Sequence, residues 1–372
     1  LFTSQLAKEK KHRFKCLDGL RGIAALLVMV LHFNYILKER SSNFLPLWLD
    51  WLVGYGYIGL YIFFVLSGFV IAYNLSHEKL SLAYLKCFFI KRSIRLDPPY
   101  WVAMVLFSII ILFGNLVTKQ NNVTFTPTDF FLNFFYLHMF FKVPPILPVV
   151  WTLVYELQFY FFYILFLKLV QEIHSKLNLK PHLYSSSVSY LVFGSLFILS
   201  LCESSKITMI FPNGFFLFFW HSFFIGCLTY WTLEEIVKPL TLYLAWLCIA
   251  IFAFLGFGQD LWMGIPASMF IYFVGRRGHL YTLFQQNIFQ YFGKISYSLY
   301  LTHWLTGFKF ISLLSYLLGN NFNKISPILI ILLASVIAVL FADLFFRLVE
   351  YPSLKLSKRI AIPKDEKALS FI

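Results

Sequence analysis

The stretch RGIAALLVMVLH, residues 21–32, sets ten apolar residues between an arginine and a histidine. Its composition matches the middle of a membrane-spanning helix, which needs roughly 20 predominantly apolar residues. A titratable imidazole in hydrocarbon is costly, about 2.5 kcal/mol or more on insertion scales for charged groups, and calls for a compensating role. Arg21 and His32 are eleven residues apart. At about 100° and 1.5 Å per residue they share one helix face, roughly 16 Å apart along the axis. A lone histidine in a helix is commonly a packing residue; an arginine on the same face adds a functional reading.

The whole chain supports the membrane reading. Of 372 residues, 59% are hydrophobic and 13% charged, with mean hydropathy +0.74; soluble domains have about 45–50% and about 25%. The 46 phenylalanines need no role beyond lipid contact. A net charge of +14 would suit a nucleic-acid partner if it covered one surface. Instead, basic clusters lie at Lys8 to Lys15, Lys79 to Arg95, Lys168 to Lys180, Arg276–Arg277 and Lys355 to Lys367. These are alternate loops and termini, as the positive-inside rule expects of cytoplasmic segments. The charge is topogenic, and no nucleic-acid partner is expected. The cysteines Cys16, Cys87, Cys202, Cys227 and Cys248 have no metal-ligand spacing, so neither a redox role nor a metal is expected. No cleavable signal is expected, because basic residues and Asp18 precede the first apolar run.

Apolar runs long enough to span fall near 19–37, 55–75, 97–117, 151–170, 186–202, 214–232, 240–257, 291–314 and 326–348, with a shorter return limb at 261–275. The expected fold is all-α: a polytopic integral membrane protein of about ten transmembrane helices, both termini cytoplasmic. A single membrane domain over 1–372 is expected, with a cytoplasmic N-terminal segment 1–18 and a cytoplasmic tail 349–372. Residues 129–149 are the difficulty. FFLNFFYLHMFF is apolar, but VPPILP interrupts it, and proline breaks helices. A full span there would put Lys168 to Lys180 outside and invert every later loop. The segment is therefore read as re-entrant or interfacial, on the outer side; at depth it survives only where it lines protein or a water-filled cavity.

Polar groups recur inside the apolar runs. Gly54, Gly56, Gly59 and Gly68 allow close helix approach. Ser67 can hydrogen-bond a neighbour, but no base stands near it in sequence and it is not read as a nucleophile. KRSIRLDPPY, 91–100, places Arg92 and Arg95 at i, i+3. They form either a topogenic loop or a clamp whose guanidinium forks hold phosphate bidentately. With Arg21 they would make a cationic mouth for a polyanionic nucleotide such as coenzyme A. No Walker loop or strand-borne GxGxxG is present to bind a nucleotide in the soluble manner. PVVWTLVYELQFYFFY, 148–163, is expected on the outer side and puts Glu156 near the start of an inward-running helix, with Trp151 and Tyr155 beside it. GKISYSLYLTH, 293–303, sets Tyr297, Tyr300 and His303 at successive i+3 steps. Counted from Tyr291, His303 is about 18 Å deep, near the depth of His32. Two histidines at one level make either a functional centre or a polar interhelical contact.

In chain order, LDGLRGIAALLVMVLHF (17–33), FFVLSGF (63–69), RSIR (92–95), WTLVYE (151–156) and ISYSLYLTH (295–303) resemble the bacterial membrane acyltransferase family 3. The likeness runs over roughly the whole chain. It implies a ten-helix fold in the bacterial cytoplasmic (inner) membrane. It further implies transfer of an acyl group, usually acetyl, from cytoplasmic acetyl-CoA to a hydroxyl of an extracytoplasmic polysaccharide or glycolipid, lipopolysaccharide O-antigen foremost. By motif match, Arg21, Arg92 and Arg95 are assigned to the acyl-CoA phosphates and His32 to the chemistry. Glu156, His303 and Tyr300 are further catalytic candidates, with Asp18, Ser67, Trp151, Tyr155 and Tyr297 in support. Acetyl-CoA is then a substrate, with no permanently bound cofactor. Some members carry an additional extracytoplasmic esterase-like domain, which is not expected in this chain. Small-residue faces also admit a homodimer. Burial favours a neutral His32, able to take the proton of an attacking alcohol or to carry acetyl as acetyl-imidazole. His303 could exchange roles with it. A proton-coupled transporter with midplane relay groups, or a sugar-binding scaffold without turnover, stays open at this level.

Overall fold

The computed structural model describes residues 13–75, 81–118, 125–177, 187–208, 210–212, 214–258 and 260–360. Both chain ends, Lys79 and Lys180 lie outside the described residues, and with them the expected placement of the termini. Among the described residues the chain is all α, with no strand. Its helices are α1 (Lys15–Arg40), α2 (Leu47–Gly54), α3 (Ile58–Leu75), α4 (Leu82–Thr118), α5 (Pro127–Phe134), α6 (Trp151–Lys176), α7 (Ser187–Ser204), α8 (Leu217–Leu233), α9 (Pro239–Phe254), α10 (Ile265–Arg276), α11 (Asn287–Leu318), α12 (Pro327–Phe345) and α13 (Tyr351–Lys358). A helix lies at each expected span. Among the described residues, five stretches are long and apolar enough to cross a membrane, Lys15–Arg40, Leu47–Leu75, Leu82–Gly114, Pro148–Lys176 and Pro327–Lys358. The chain is a multi-pass membrane protein. Prolines open α5, α9, α10 and α12, where their fixed φ and missing N–H cost nothing.

The described residues divide into two compact units that interleave along the chain. One takes Leu1–Arg21, Leu60–Glu78 and Thr152–Gln290. Its centre is α8, in which every residue from Trp220 to Leu233 is buried. Reciprocal glycines let α3 and α8 touch by their backbones: a Cβ on Gly68 would stand 1.8 Å from the Phe223 carbonyl oxygen, and one on Gly226 would stand 2.1 Å from that of Val65.

The other unit takes Gly22–Gly59, Lys79–Trp151 and Tyr291–Ile372. Here α1 and α11 run parallel in close contact. A Cβ on Gly22 would meet the Gly293 nitrogen at 2.7 Å, and one on Gly307 would meet the Phe33 ring at 1.9 Å. His32 and His303 fall between these two contact points. On the other flank of α1, a Cβ on Gly56 or Gly59 would overlap the carbonyl oxygen of Leu27 or Ala24, at 2.6 and 2.5 Å.

Residues 125–150 fold back along α4. Thr126 and Asp129 form a reciprocal capping box that starts α5. Tyr100 then donates to the Asn133 carbonyl at 2.8 Å, and the Trp101 indole to that of Phe134 at 3.2 Å. The Trp101 and Phe134 rings stack with centroids 4.1 Å apart. These anchors lie roughly 25 Å or more from the Thr118 end of α4, at 1.5 Å per residue. At its far end, the Val149 carbonyl accepts from the Tyr300 hydroxyl at 2.8 Å, midway along α11.

The expected tail also begins as packed structure. A π-turn, Phe346–Glu350, leads into α13, which packs on α4 and buries Ser353 and Ser357. Glu350 is buried, and its carboxylate accepts from the Ser298 nitrogen at 3.0 Å and hydroxyl at 2.5 Å, tying the tail to α11.

Candidate active site

The two histidines meet. Nδ1 of His32 lies 2.7 Å from Nε2 of His303, with ring centroids 5.0 Å apart and planes 3° from parallel. Overlapping parallel rings cannot approach closer than van der Waals contact, about 3.5 Å between carbons. The imidazoles therefore lie side by side in one plane, joined edge to edge by a hydrogen bond. His303 is wholly buried and His32 half-buried.

The backbone of α11 sets the tautomers. The Leu299 carbonyl lies 3.0 Å from His303 Nδ1, and a carbonyl can only accept, so that nitrogen carries the proton. In the neutral ring Nε2 is then an acceptor, and the hydrogen between the rings belongs to His32 Nδ1. His32 is left with a lone pair on Nε2, which meets no hydrogen-bond partner among the described residues. The Trp304 ring stands edge-on to His32, centroids 5.0 Å apart at 81°, and limits its rotation. A base held in one tautomer, in a fixed plane and with one free nitrogen is suited to taking a proton or an acyl group.

The other candidates of this unit lie on α4, α11 and the first residue of α6. Tyr300, one turn before His303, holds the Val149 carbonyl. Tyr297 donates to the Leu96 carbonyl at 2.8 Å, next to Arg95 and just before Pro98 and Pro99, which interrupt the hydrogen-bond ladder inside α4. Arg92 is half-buried and Arg95 exposed. Asp97 accepts from Tyr136 at 3.0 Å and from the Ser93 hydroxyl, with the Arg92 charge beside it. Trp151 is half-buried at the first residue of α6. His138, in the turns after α5, is wholly buried with neither ring nitrogen hydrogen-bonded among the described residues, and burial draws its pKa down to about 4.

In the first unit, Glu156 is the centre. Its Oε1 accepts from Ser67 at 2.7 Å and from Tyr160 at 2.6 Å, so the base that sequence proximity did not offer Ser67 comes from another helix. Tyr155 accepts from the Gly214 nitrogen at 3.1 Å, and Gln158 brackets the entry to α8 through Gly214 and Phe216. Asp18 pairs with Arg13 and, at 3.5 Å, with Arg21.

Sequence reading passed over Asp97 and Tyr136, although the carboxylate of LDPP beside RSIR was a signal. It also passed over Asn34 and Lys38, which close on Asp50 at 2.7 and 2.6 Å, and over Ser298 with Glu350. Asp50 within LWLDWLV was the visible cue there.

A family model described as an acyltransferase domain matches residues 14–347. A Staphylococcus aureus (strain COL) protein named "Putative O-acetyltransferase" is 29% identical over 175 residues, covering 43% of this chain and 26% of that protein. The peptidoglycan O-acetyltransferase of Listeria monocytogenes is 32% identical over 182 residues, covering 44% and 26%. The matched stretch spans about a quarter of the length of these relatives. No solved structure matches the chain.

Proposed function

The chain belongs to the acyltransferase family 3, and from that premise we propose that it moves an acetyl group from cytoplasmic acetyl-CoA to a hydroxyl of an extracytoplasmic glycan. The supporting observation is the His32–His303 pair, with its free Nε2. In this reading the acceptor oxygen attacks the thioester carbonyl while His32 Nε2 takes the hydroxyl proton. The carbon–sulfur bond then breaks, and the same proton passes to the departing thiolate, leaving an ester and coenzyme A. General-base assistance of this kind contributes typically about 10²–10⁴-fold. His303 holds the tautomer and stabilises the imidazolium formed. A transient acetyl on Nε2 uses the same nitrogen and gives the same products.

Arg92 and Arg95, with Arg21 on the helix that carries His32, are assigned to the phosphates of coenzyme A, which guanidinium groups bind bidentately. The name of the Listeria relative favours a cell-wall glycan as acceptor; lipopolysaccharide O-antigen belongs to the same class of surface polysaccharide. The ten expected spans are assigned to the cytoplasmic membrane with both ends inside, and residues 129–149 to a re-entrant or interfacial segment. Glu156, hydrogen-bonded by Ser67 and Tyr160, is a second candidate centre, which Glu156→Gln probes.

The test is purified protein in nanodiscs with radiolabelled acetyl-CoA and cell-wall or O-antigen glycan. Label should move to glycan with release of coenzyme A, and His32→Ala should abolish transfer with the protein still monodisperse. Intact thioester would indicate a transporter or scaffold. Transfer undiminished in His32→Ala would exclude the imidazole as base or carrier.

A further inference from the structure

Beyond the histidine pair, α11 carries a second feature that acyl transfer does not use. A pocket of about 380 Å³ opens between α4, α11 and α12, walled by Ile110, Phe113, Leu305, Leu313 and Phe341. Into this apolar lining α11 puts Lys309, half-buried, whose amine lies against Gly114 of α4, where a Cβ would stand 3.6 Å away. A second cation comes from the end of α1. The Arg40 guanidinium lies 5.6 Å from the Phe308 ring centroid, and the Lys309 amine lies 5.6 Å from the same centroid. Among the described residues no carboxylate closes an ion pair with either. Two like charges at one aromatic ring, one of them reaching into an apolar pocket, meet no counter-charge among the described residues, and a lysine in apolar surroundings is rare unless something pairs with it.

The surrounding surface identifies the occupant. Ile109, Phe113, Leu313, Leu332, Val336 and Leu340 are exposed, so in a membrane this face meets lipid. We propose that the pocket binds a bilayer phospholipid with an anionic headgroup. Its phosphate sits against Lys309 and Arg40, and an acyl chain fills the apolar cleft toward Thr306. The charges match, and the amphiphile matches a pocket that is apolar along its walls and cationic at one side. Lys309 lies six residues beyond His303 on α11, about 9 Å along the axis. A lipid held there braces the helix that carries half of the histidine pair. The inference rests on the membrane character of the chain and not on acyl transfer.

The test is native mass spectrometry of the full chain released from nanodiscs doped equally with phosphatidylglycerol and phosphatidylcholine. Wild type should retain phosphatidylglycerol with a preference of about five- to tenfold for each basic contact, the scale of one basic side chain at an anionic surface. Lys309→Ala should lower that preference by about the same factor, and Lys309→Arg should preserve it. Equal retention of the two lipids, or an unchanged preference in monodisperse Lys309→Ala, overturns the proposal. Complete displacement of phosphatidylglycerol by a polyprenyl phosphate also overturns it, because the site would then serve a carrier lipid.

Discussion

Gly22→Ala should slow acyl transfer without touching any group assigned to the reaction. The added methyl would stand 2.7 Å from the Gly293 nitrogen and 2.8 Å from the Phe292 carbonyl carbon and Cβ. Most of these are backbone atoms that cannot swing aside. Ordinary contact begins near 3.4 Å, so α1 and α11 must separate by about 0.7 Å, an overpacking that costs about 1–3 kcal/mol. If the parallel helices part as rods, the His32–His303 contact stretches from 2.7 Å to about 3.4 Å, beyond hydrogen-bond length. Misplacement on the order of 1 Å at a reacting centre costs about 10²-fold in rate. Turnover should therefore fall about 10- to 100-fold, with apparent affinity for acetyl-CoA little changed. Gly54→Ala is the control, since nothing lies within 4 Å of a Cβ there. Initial rates with radiolabelled acetyl-CoA, at matched amounts of monodisperse protein, read the effect. Wild-type turnover in a well-folded Gly22→Ala protein would refute the claim that helix spacing holds the histidine pair. Where that variant fails to insert, Gly307→Ala probes the same interface from the Phe33 side.

His138 should make stability fall with acid. Burial lowers its pKa from 6.5 to about 4, so between those values the unfolded chain binds the extra proton and stability is lost as pH drops, up to about 3 kcal/mol; Tm in detergent at about pH 7.5 and about pH 4.5 should show this, and an equal slope in His138→Phe would contradict it. Tyr136→Phe removes the 3.0 Å bond to Asp97 and should cost about 1–2 kcal/mol, read as faster amide exchange over 133–147; unchanged exchange would dismiss the bond as a latch. Glu350→Ala strands the Ser298 hydroxyl, should cost about 1–3 kcal/mol of stability and should lower Tm more than Glu350→Gln; the opposite order would remove Glu350 as the tie between tail and α11.

The helices were legible because each apolar run is bounded by signals of its own. Prolines mark the starts of α9, α10 and α12, and basic residues follow α6 and α10. Segment 125–150 was legible only in part. VPPILP shows that no continuous helix runs through it, but its course is set by the Asn133 and Phe134 carbonyls meeting Tyr100 and Trp101, more than thirty residues away in sequence. No local pattern encodes such a pairing. The same holds for Glu350, whose partner lies 52 residues upstream.

At the site, the sequence offered two histidines at similar computed depths on separate helices, and depth alone leaves them exchangeable. What separates them is the backbone. Only His303 has a carbonyl one turn before it within reach of Nδ1, and that contact decides which ring donates across the 2.7 Å gap. Swapping the roles would require His303 to release its Nδ1 proton from Leu299, or the 2.7 Å contact to face two N–H groups, and either loses a hydrogen bond in a buried place worth about 1–3 kcal/mol. The asymmetry between the two imidazoles therefore comes from the main chain of α11, which is why residue identity and spacing point to the pair but not to its working member.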